Sequence, residues 1–321
     1  MEISMLRRLT VALFCSVLLG VVALPALGKE QVPYLLTVSS KGDLATVKSL
    51  LNSGADPNTR DAEGITALMY AARKDKADVA RVLLEKGADV NATDAGGWTA
   101  LMFAAKKNFI DTAKVLLEYG ADAKVRDESG WSALGMAATS GYSEMVGLLV
   151  QRGIDPSSKS DDGKSILMYA ARNGDIDTIN TLLAQGADIA ARDRFGLTAL
   201  MYAAREGNVE ATALLIDKGA KVDAQDKTKW TALSWAVKKS QEGTARLLIE
   251  RGANVNHKDS EGTPILQYAV SEGNVELVKL LLANGADVKV KDQYGLTALV
   301  YAMKGKKPEI VQLIKDAGGS Y

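Results

Sequence analysis

The chain has 321 residues, of which 47% are apolar and six are proline, and its 39 basic side chains balance 39 acidic ones. That composition supports a folded core and excludes both a disordered chain and a polycation that coats nucleic acid by charge alone. One histidine, His257, and one cysteine, Cys15, are too few for a thiolate or multi-histidine metal site.

The first segment stands apart from the rest. Arg7 and Arg8 precede an apolar run from Leu9 to Leu24, which is followed by Pro25, a small-x-small site at Ala26-Leu27-Gly28, and then Lys29-Glu30. This is the pattern of a secretory signal peptide over residues 1–28, cleaved after Gly28. The alternative is a retained anchor, but a run of sixteen residues falls short of the roughly 20 that span hydrocarbon. Pro25 would also break the helix where it would have to extend. Phe14 before Cys15, and the place of Cys15 inside the apolar run, argue against lipid attachment. Cleavage leaves 37 basic and 38 acidic side chains, a net charge of −1, and no thiol. The expected location is periplasmic or secreted, most simply the envelope of a bacterial cell.

From there to the end the sequence repeats. A Thr/Ser-Ala-Leu-like triplet opens every 33 residues, at Thr66, Thr99, Ser132, Ser165, Thr198, Thr231, a degenerate Pro264 and Thr297. A Gly-Ala-Asp turn keeps the same step at Gly54, Gly87, Gly120, Gly186 and Gly285, with looser copies at Gly153, Gly219, Gly252 and Gly318. Two markers in one register define a solenoid. Within a copy, Thr198 is placed to cap a short helix, Ala199-Leu200-Met201-Tyr202-Ala203-Ala204, whose small residues permit close helix contact. Gly207-Asn208 turns the chain, and a second apolar helix ends at Gly219, a residue suited to a left-handed stop. One such hairpin cannot bury its apolar face, so neighbouring copies must stack.

The period, the Gly-Ala-Asp turn and segments such as Asp94-Ala95-Gly96-Gly97-Trp98-Thr99-Ala100-Leu101 resemble the ankyrin repeat over residues 31–321. The resemblance implies an all-α helical-repeat solenoid with β-turn fingers, filling residues 29–321 with about nine repeats. The outer two are atypical caps, with Thr37, Val38, Ser39 and Ser40 in the first and Lys315 in the last. It also implies noncatalytic binding of another protein, as scaffold or inhibitor, without a cofactor. The chain departs from the family pattern in carrying Met69, Met102, Met168 and Met201 where a histidine is usual, which removes the family's Thr to His bond. Lys229 replaces a finger glycine and Gly135 interrupts the fourth copy's first helix, so both places are expected to be irregular.

Catalytic chemistry finds little support. Asp61, Asp94, Asp127, Asp193, Asp226, Asp259 and Asp292 recur at one register position and so serve each copy's turn. Asp161-Asp162 breaks that pattern beside Lys159 and Lys164 and reads as a solvated fingertip, while His257 reads as a loop residue. No phosphate loop, Ser-His-Asp set or zinc spacing occurs, so an enzyme or metal protein is disfavoured.

Two rows could meet a partner. Arg73, Lys106, Arg172, Arg205, Lys238 and Lys304 follow the first helices and would line the concave face, where they suit an acidic protein segment or other polyanion. Equally, cations at that position offset the helix dipole. Trp98, Trp131 and Trp230 share one finger position, with Phe195 and Tyr294 near other tips, and are either interface anchors or packing against the next finger. The aromatic row Tyr70, Phe103, Tyr169, Tyr202, Trp235, Tyr268 and Tyr301 reads as packing between repeats. Export and neutrality argue against nucleic acid, and the mature chain is not expected to enter a membrane. A secreted effector acting on host proteins is the alternative role.

Overall fold

The structure, a computed structural model, describes residues 33–320, so the leader expected over 1–28 lies outside the described residues. Those described residues form nine helical hairpins and no sheet beyond isolated bridges. The first four are α1 (Tyr34–Lys41) with α2 (Leu44–Asn52), α3 (Ala67–Ala72) with α4 (Ala77–Glu85), α5 (Ala100–Lys106) with α6 (Ile110–Glu118), and α7 (Ala133–Thr139) with α8 (Ser143–Gln151). Next come α9 (Ile166–Asn173) with α10 (Ile176–Ala184), α11 (Ala199–Glu206) with α12 (Val209–Asp217), and α13 (Ala232–Lys238) with α14 (Glu242–Glu250). The last two pair α15 (Ile265–Glu272) with α16 (Val275–Ala283), and α17 (Ala298–Lys304) with α18 (Pro308–Asp316).

Each inner helix starts where the sequence places its cap. The Thr66, Thr99, Ser132, Ser165, Thr198 and Thr231 hydroxyls accept from the N–H three residues on, satisfying a donor the helix itself leaves open. The methionines that replace the family's histidine return the bond, since the sulfurs of Met69, Met102, Met168 and Met201 accept the cap N–H at 3.3–3.5 Å. Past the cap, Leu68, Leu101, Leu134, Leu167, Leu200, Leu233, Leu266 and Leu299 occupy one register position and are all buried. The alanine pairs at 71–72, 104–105, 137–138, 170–171 and 203–204 are fully buried and let successive inner helices approach closely. At most steps the inner helices lie closer together than the outer ones, so the stack curves toward them.

Polar bonds then lock one repeat to the next. Asn208 donates to the Ala171 and Arg172 carbonyls at the end of α9, and the Lys307 ammonium does the same for Val270 and Ser271 at the end of α15. Asn58, Asn91 and Asn256 each bridge to the following repeat, donating to a turn carbonyl and accepting an aspartate N–H. These satisfy carbonyls that a lone hairpin would leave to water.

Three local expectations need correction. α7 is regular despite Gly135, and the Trp131 ring lies over that glycine: a Cβ there would sit 2.9 Å from the ring. The seventh finger is also regular, because Lys229 adopts the left-handed conformation of its glycine counterparts, at φ 61°, and its N–H reaches the Asp226 carbonyl at 3.0 Å. In the first repeat Ser39 is not turned outward; it is fully buried at the register position of Ala72, with no partner for its hydroxyl among the described residues. Lys315 is exposed, as expected for a polar end.

A left-handed lysine carries a steric cost of about 1–2 kcal/mol, partly offset by the extra chain freedom glycine has when unfolded. Lys229→Gly is therefore expected to raise stability by roughly 0.5–1 kcal/mol, read as a higher midpoint in urea denaturation. An unchanged or lowered midpoint would show that the lysine is not strained there.

Candidate functional site

The fingers are built on their aspartates. Asp61 Oδ1 accepts the N–H groups of Glu63 and Ile65 at 3.0 and 2.8 Å, and Asp94, Asp127, Asp193, Asp226, Asp259 and Asp292 close their turns in the same way. The second carboxylate oxygen draws in the inner-helix aromatic of the same repeat. Tyr70 donates to Asp61 at 2.8 Å, Tyr202 to Asp193 at 2.8 Å, the Trp235 indole to Asp226 at 3.0 Å and Tyr301 to Asp292 at 2.6 Å, with Tyr268 on Asp259. The aromatic row is thus packing, as the sequence suggested, and each of these bonds fixes the finger against its helix. Burial first, then the Asp193 carboxylate, pushes the Tyr202 hydroxyl well above its ordinary range. The Asp292 bond, aided by burial, lifts Tyr301 to about 12.

The finger tryptophans stack on that row and are half-buried. Trp98 lies 5.0 Å from Phe103, Trp131 lies 5.3 Å from Tyr169, and Trp230 is held between Trp235 at 4.8 Å and Tyr268 at 4.7 Å. Trp230, with a ring on either side, is part of the packing ladder. Phe195 differs, being 53% exposed at a fingertip with the Arg194 guanidinium over its ring.

The basic row divides in two. Arg205 pairs with Glu206 at 2.9 Å and Lys238 with Glu272 at 2.6 Å, so their charge is largely answered locally. Arg73 lies over Tyr70 and Phe103, and Arg172 over Tyr169, but among the described residues no carboxylate comes within ion-pair distance of Arg73, Lys106 or Arg172. The glutamates at 206 and 272 are what sequence reasoning missed. They follow or face the row rather than belonging to it, so no repeat marker points to them.

Two of the unpaired cations, Lys106 and Arg172, border an open groove of about 750 Å³ on the inner face across the third to fifth repeats. Trp98, Lys106, Trp131 and Arg172 come together in its walls, with Met136 and Tyr169; Trp230, Phe195, Arg205 and Lys238 lie outside it. The groove coincides with a gap in the finger ladder. One backbone bond joins fingers two to three, three to four, five to six, six to seven and seven to eight, but none of this kind joins four to five, or eight to nine. At the fifth finger Ser160 replaces the aspartate and the Asp161 carboxylate lies against Gly130. Asp162 is bound to Lys164 and Ser160 at 2.5 Å; burial would raise its carboxyl, but those two partners outweigh it and hold it low. Asp161-Asp162 is therefore a groove wall more than a free tip.

Stacked hairpins with β-turn fingers and a concave inner face define a helical-repeat binding scaffold. A family model described as ankyrin repeats (3 copies) matches residues 35–127, 120–193, 167–259 and 253–320, and the chain belongs to the ankyrin-repeat family. Among solved structures, the human ASB11 ankyrin repeat domain is similar with a TM-score of 0.62 and 28% identity, covering 70% of this chain and 99% of that one. No curated protein matches the chain. Ankyrin repeats are protein-interaction scaffolds, generally without catalysis. Among the described residues no helix is long and apolar enough to cross a membrane, no cluster of metal-ligand residues occurs, and His257 is a half-buried loop residue touching the Lys229 carbonyl.

A tyrosine whose hydroxyl titrates higher in the folded state than unfolded favours folding below its ordinary range, and that contribution is lost as pH rises toward the folded value. The array is expected to lose stability as pH climbs from 10 toward 12, through Tyr301 and then Tyr202. Urea midpoints across that window should fall less steeply for Tyr301→Phe than for the unaltered chain. Parallel slopes would show that the Asp292 bond does not hold the Tyr301 proton.

Proposed function

We propose that this chain is an exported, noncatalytic scaffold or inhibitor that holds a protein partner along its concave face and fingertips. The observation that carries the reading is the conjunction of unpaired cations with a broken finger ladder. Arg73, Lys106 and Arg172 have no carboxylate partner among the described residues, and two of them border a stretch of the inner face that opens into a groove. Surface cations left unanswered on a binding face steer and orient an oppositely charged partner. An acidic segment of that partner, passing these cations over repeats two to five with its carboxylates clear of Asp127 and Asp161, fits them. Trp98 and Trp131 offer partly exposed aromatic surface beside it, and Phe195 a more exposed anchor on the sixth finger. The leader expected over residues 1–28 supports export, and the mature domain would then be 29–321.

Crosslinking in the exporting cell, followed by identification of captured proteins, tests this. Lys106→Glu with Arg172→Glu is expected to weaken capture at least tenfold and flatten its salt dependence. Arg205→Glu with Lys238→Glu should change it far less, because those two cations are already paired. Equal loss in both would place the partner on the whole row, and no loss in either would remove it from the concave face.

Export is tested on its own. The purified protein is expected to begin at Lys29 by mass and to fractionate with the periplasm or the medium. A full-length chain in the cytosolic fraction would overturn it, and recovery inside a host cell would favour an effector role.

A further inference from the structure

Register gives the inner face a template, and one repeat leaves it unfilled. Seven of the eight inner helices from α3 to α17 carry an aromatic at one position, and the exception is Met136 of α7. In the seventh and eighth repeats three groups meet at that position. The ring's polar tip donates to the finger aspartate of its own repeat, as Trp235 does to Asp226 at 3.0 Å. The cation of the preceding repeat lies over the ring, as Arg205 lies 5.7 Å from the Trp235 centroid and Lys238 lies 5.8 Å from Tyr268.

In the fourth repeat all three partners of that arrangement are left incomplete. Met136 brings neither ring nor donor and forms a buried floor. Asp127 holds its finger turn through Oδ1, accepting from Ser129 and Trp131 at 3.0 and 2.7 Å, and no described donor reaches Oδ2. Lys106, the cation placed to lie over a ring at this position, has neither a ring nor a carboxylate among the described residues. Met136, Asp127 and Lys106 all line the same 750 Å³ groove. Thr139 stands in place of the usual cation, and Gly135 leaves room for the Trp131 ring as a wall. The third repeat shows the contrast. Phe103 also lacks a donor for Asp94, but its ring is present and Arg73 covers it at 5.3 Å.

We propose that this gap receives the side chain of a tyrosine on the protein partner, whose ring takes the vacant place above Met136 and whose hydroxyl donates to Asp127 Oδ2. A neutral phenol satisfies what the groove presents: its face accepts the Lys106 charge and its tip answers the carboxylate. An arginine or lysine there would face Lys106 and Arg172, a carboxylate would face Asp127 and Asp161, and a phenylalanine would leave Asp127 without a donor. The proposal rests on the reading that the concave face binds a protein, but its test does not require that protein.

The test is a titration of the full chain, carrying ¹³C-methyl methionine, with N-acetyl-tyrosinamide and then N-acetyl-phenylalaninamide. The Met136 methyl resonance is expected to move saturably with the tyrosine amide, on the order of millimolar, and at least about fivefold more weakly with the phenylalanine amide, the worth of one hydrogen bond. Asp127→Asn keeps the Oδ1 acceptor of the turn but replaces the charged Oδ2 acceptor with an N–H donor, and should reduce that preference. Met136→Tyr installs the residue five other repeats carry, and with the array folded it should abolish binding of both amides, followed through the shifts of Met102 and Met168. Equal affinity for the two amides, movement confined to the exposed Met303, or binding unaltered by Met136→Tyr would overturn the proposal. Such a failure leaves capture of a partner by the rest of the groove intact, whereas a responsive Met136 with no captured partner would count against the functional reading alone.

Discussion

The finger aspartate is the interaction on which this array depends, because its two oxygens do different work at one place. Oδ1 gathers two backbone N–H groups and fixes the turn, as in Asp61 with Glu63 and Ile65. Oδ2 takes the proton of an aromatic nine residues on and so fixes the turn against its helix, as in Tyr202 with Asp193. A finger held this way presents its edge to the next finger, and the Ala95 to Glu63 and Lys227 to Phe195 bonds follow. Without the aromatic clamp a projecting turn would have few contacts to resist motion. The asparagine bridges and the donations from Asn208 and Lys307 then extend the same logic to the other side of the hairpins.

Seen through that constraint, the groove is a local lapse in a rule rather than an added feature. The clamp fails at Asp127, where Met136 has no hydrogen to give, and the next finger substitutes Ser160, which Tyr169 reaches only at 3.3 Å. The missing backbone bond between fingers four and five falls between these two repeats, although Asp94 also lacks a clamp and its finger is bonded on both sides. The uniform surface opens there, and acceptor, cation and ring faces that elsewhere satisfy one another are left to solvent. Binding sites often sit where such internal satisfaction is incomplete, since a ligand can supply what the fold does not.

Much of the fold was legible in the sequence because each repeat states its own structure locally. Thr198 before Ala199-Leu200 is a cap whatever surrounds it, Gly219 stops a helix by its left-handed backbone, and the recurrence every 33 residues implies stacking because one hairpin has nowhere to hide its leucines. The basic row and the finger tryptophans were equally visible as patterns. Their environments were not. Arg205 and Lys238 look like Arg172 in register, but only they have a glutamate in reach. Trp230 looks like Trp98, but it is enclosed by two rings and Trp98 stacks on one.

The sequence alone determined the family, the nine hairpins, the cap at Thr198, the glycine turns, and the aromatic row that skips Met136. These follow from period and from bonds that span three to nine residues, all within a single repeat. Which charges stay unpaired, that Gly135 serves the Trp131 ring, that Lys229 can hold a glycine's conformation, and that Met136, Asp127 and Lys106 open into one groove were decided by the tertiary structure. The physical reason is distance along the chain. Lys238 reaches Glu272 from 34 residues away, and Lys106 comes to border the same groove as Arg172 only through the stacking of three separate hairpins.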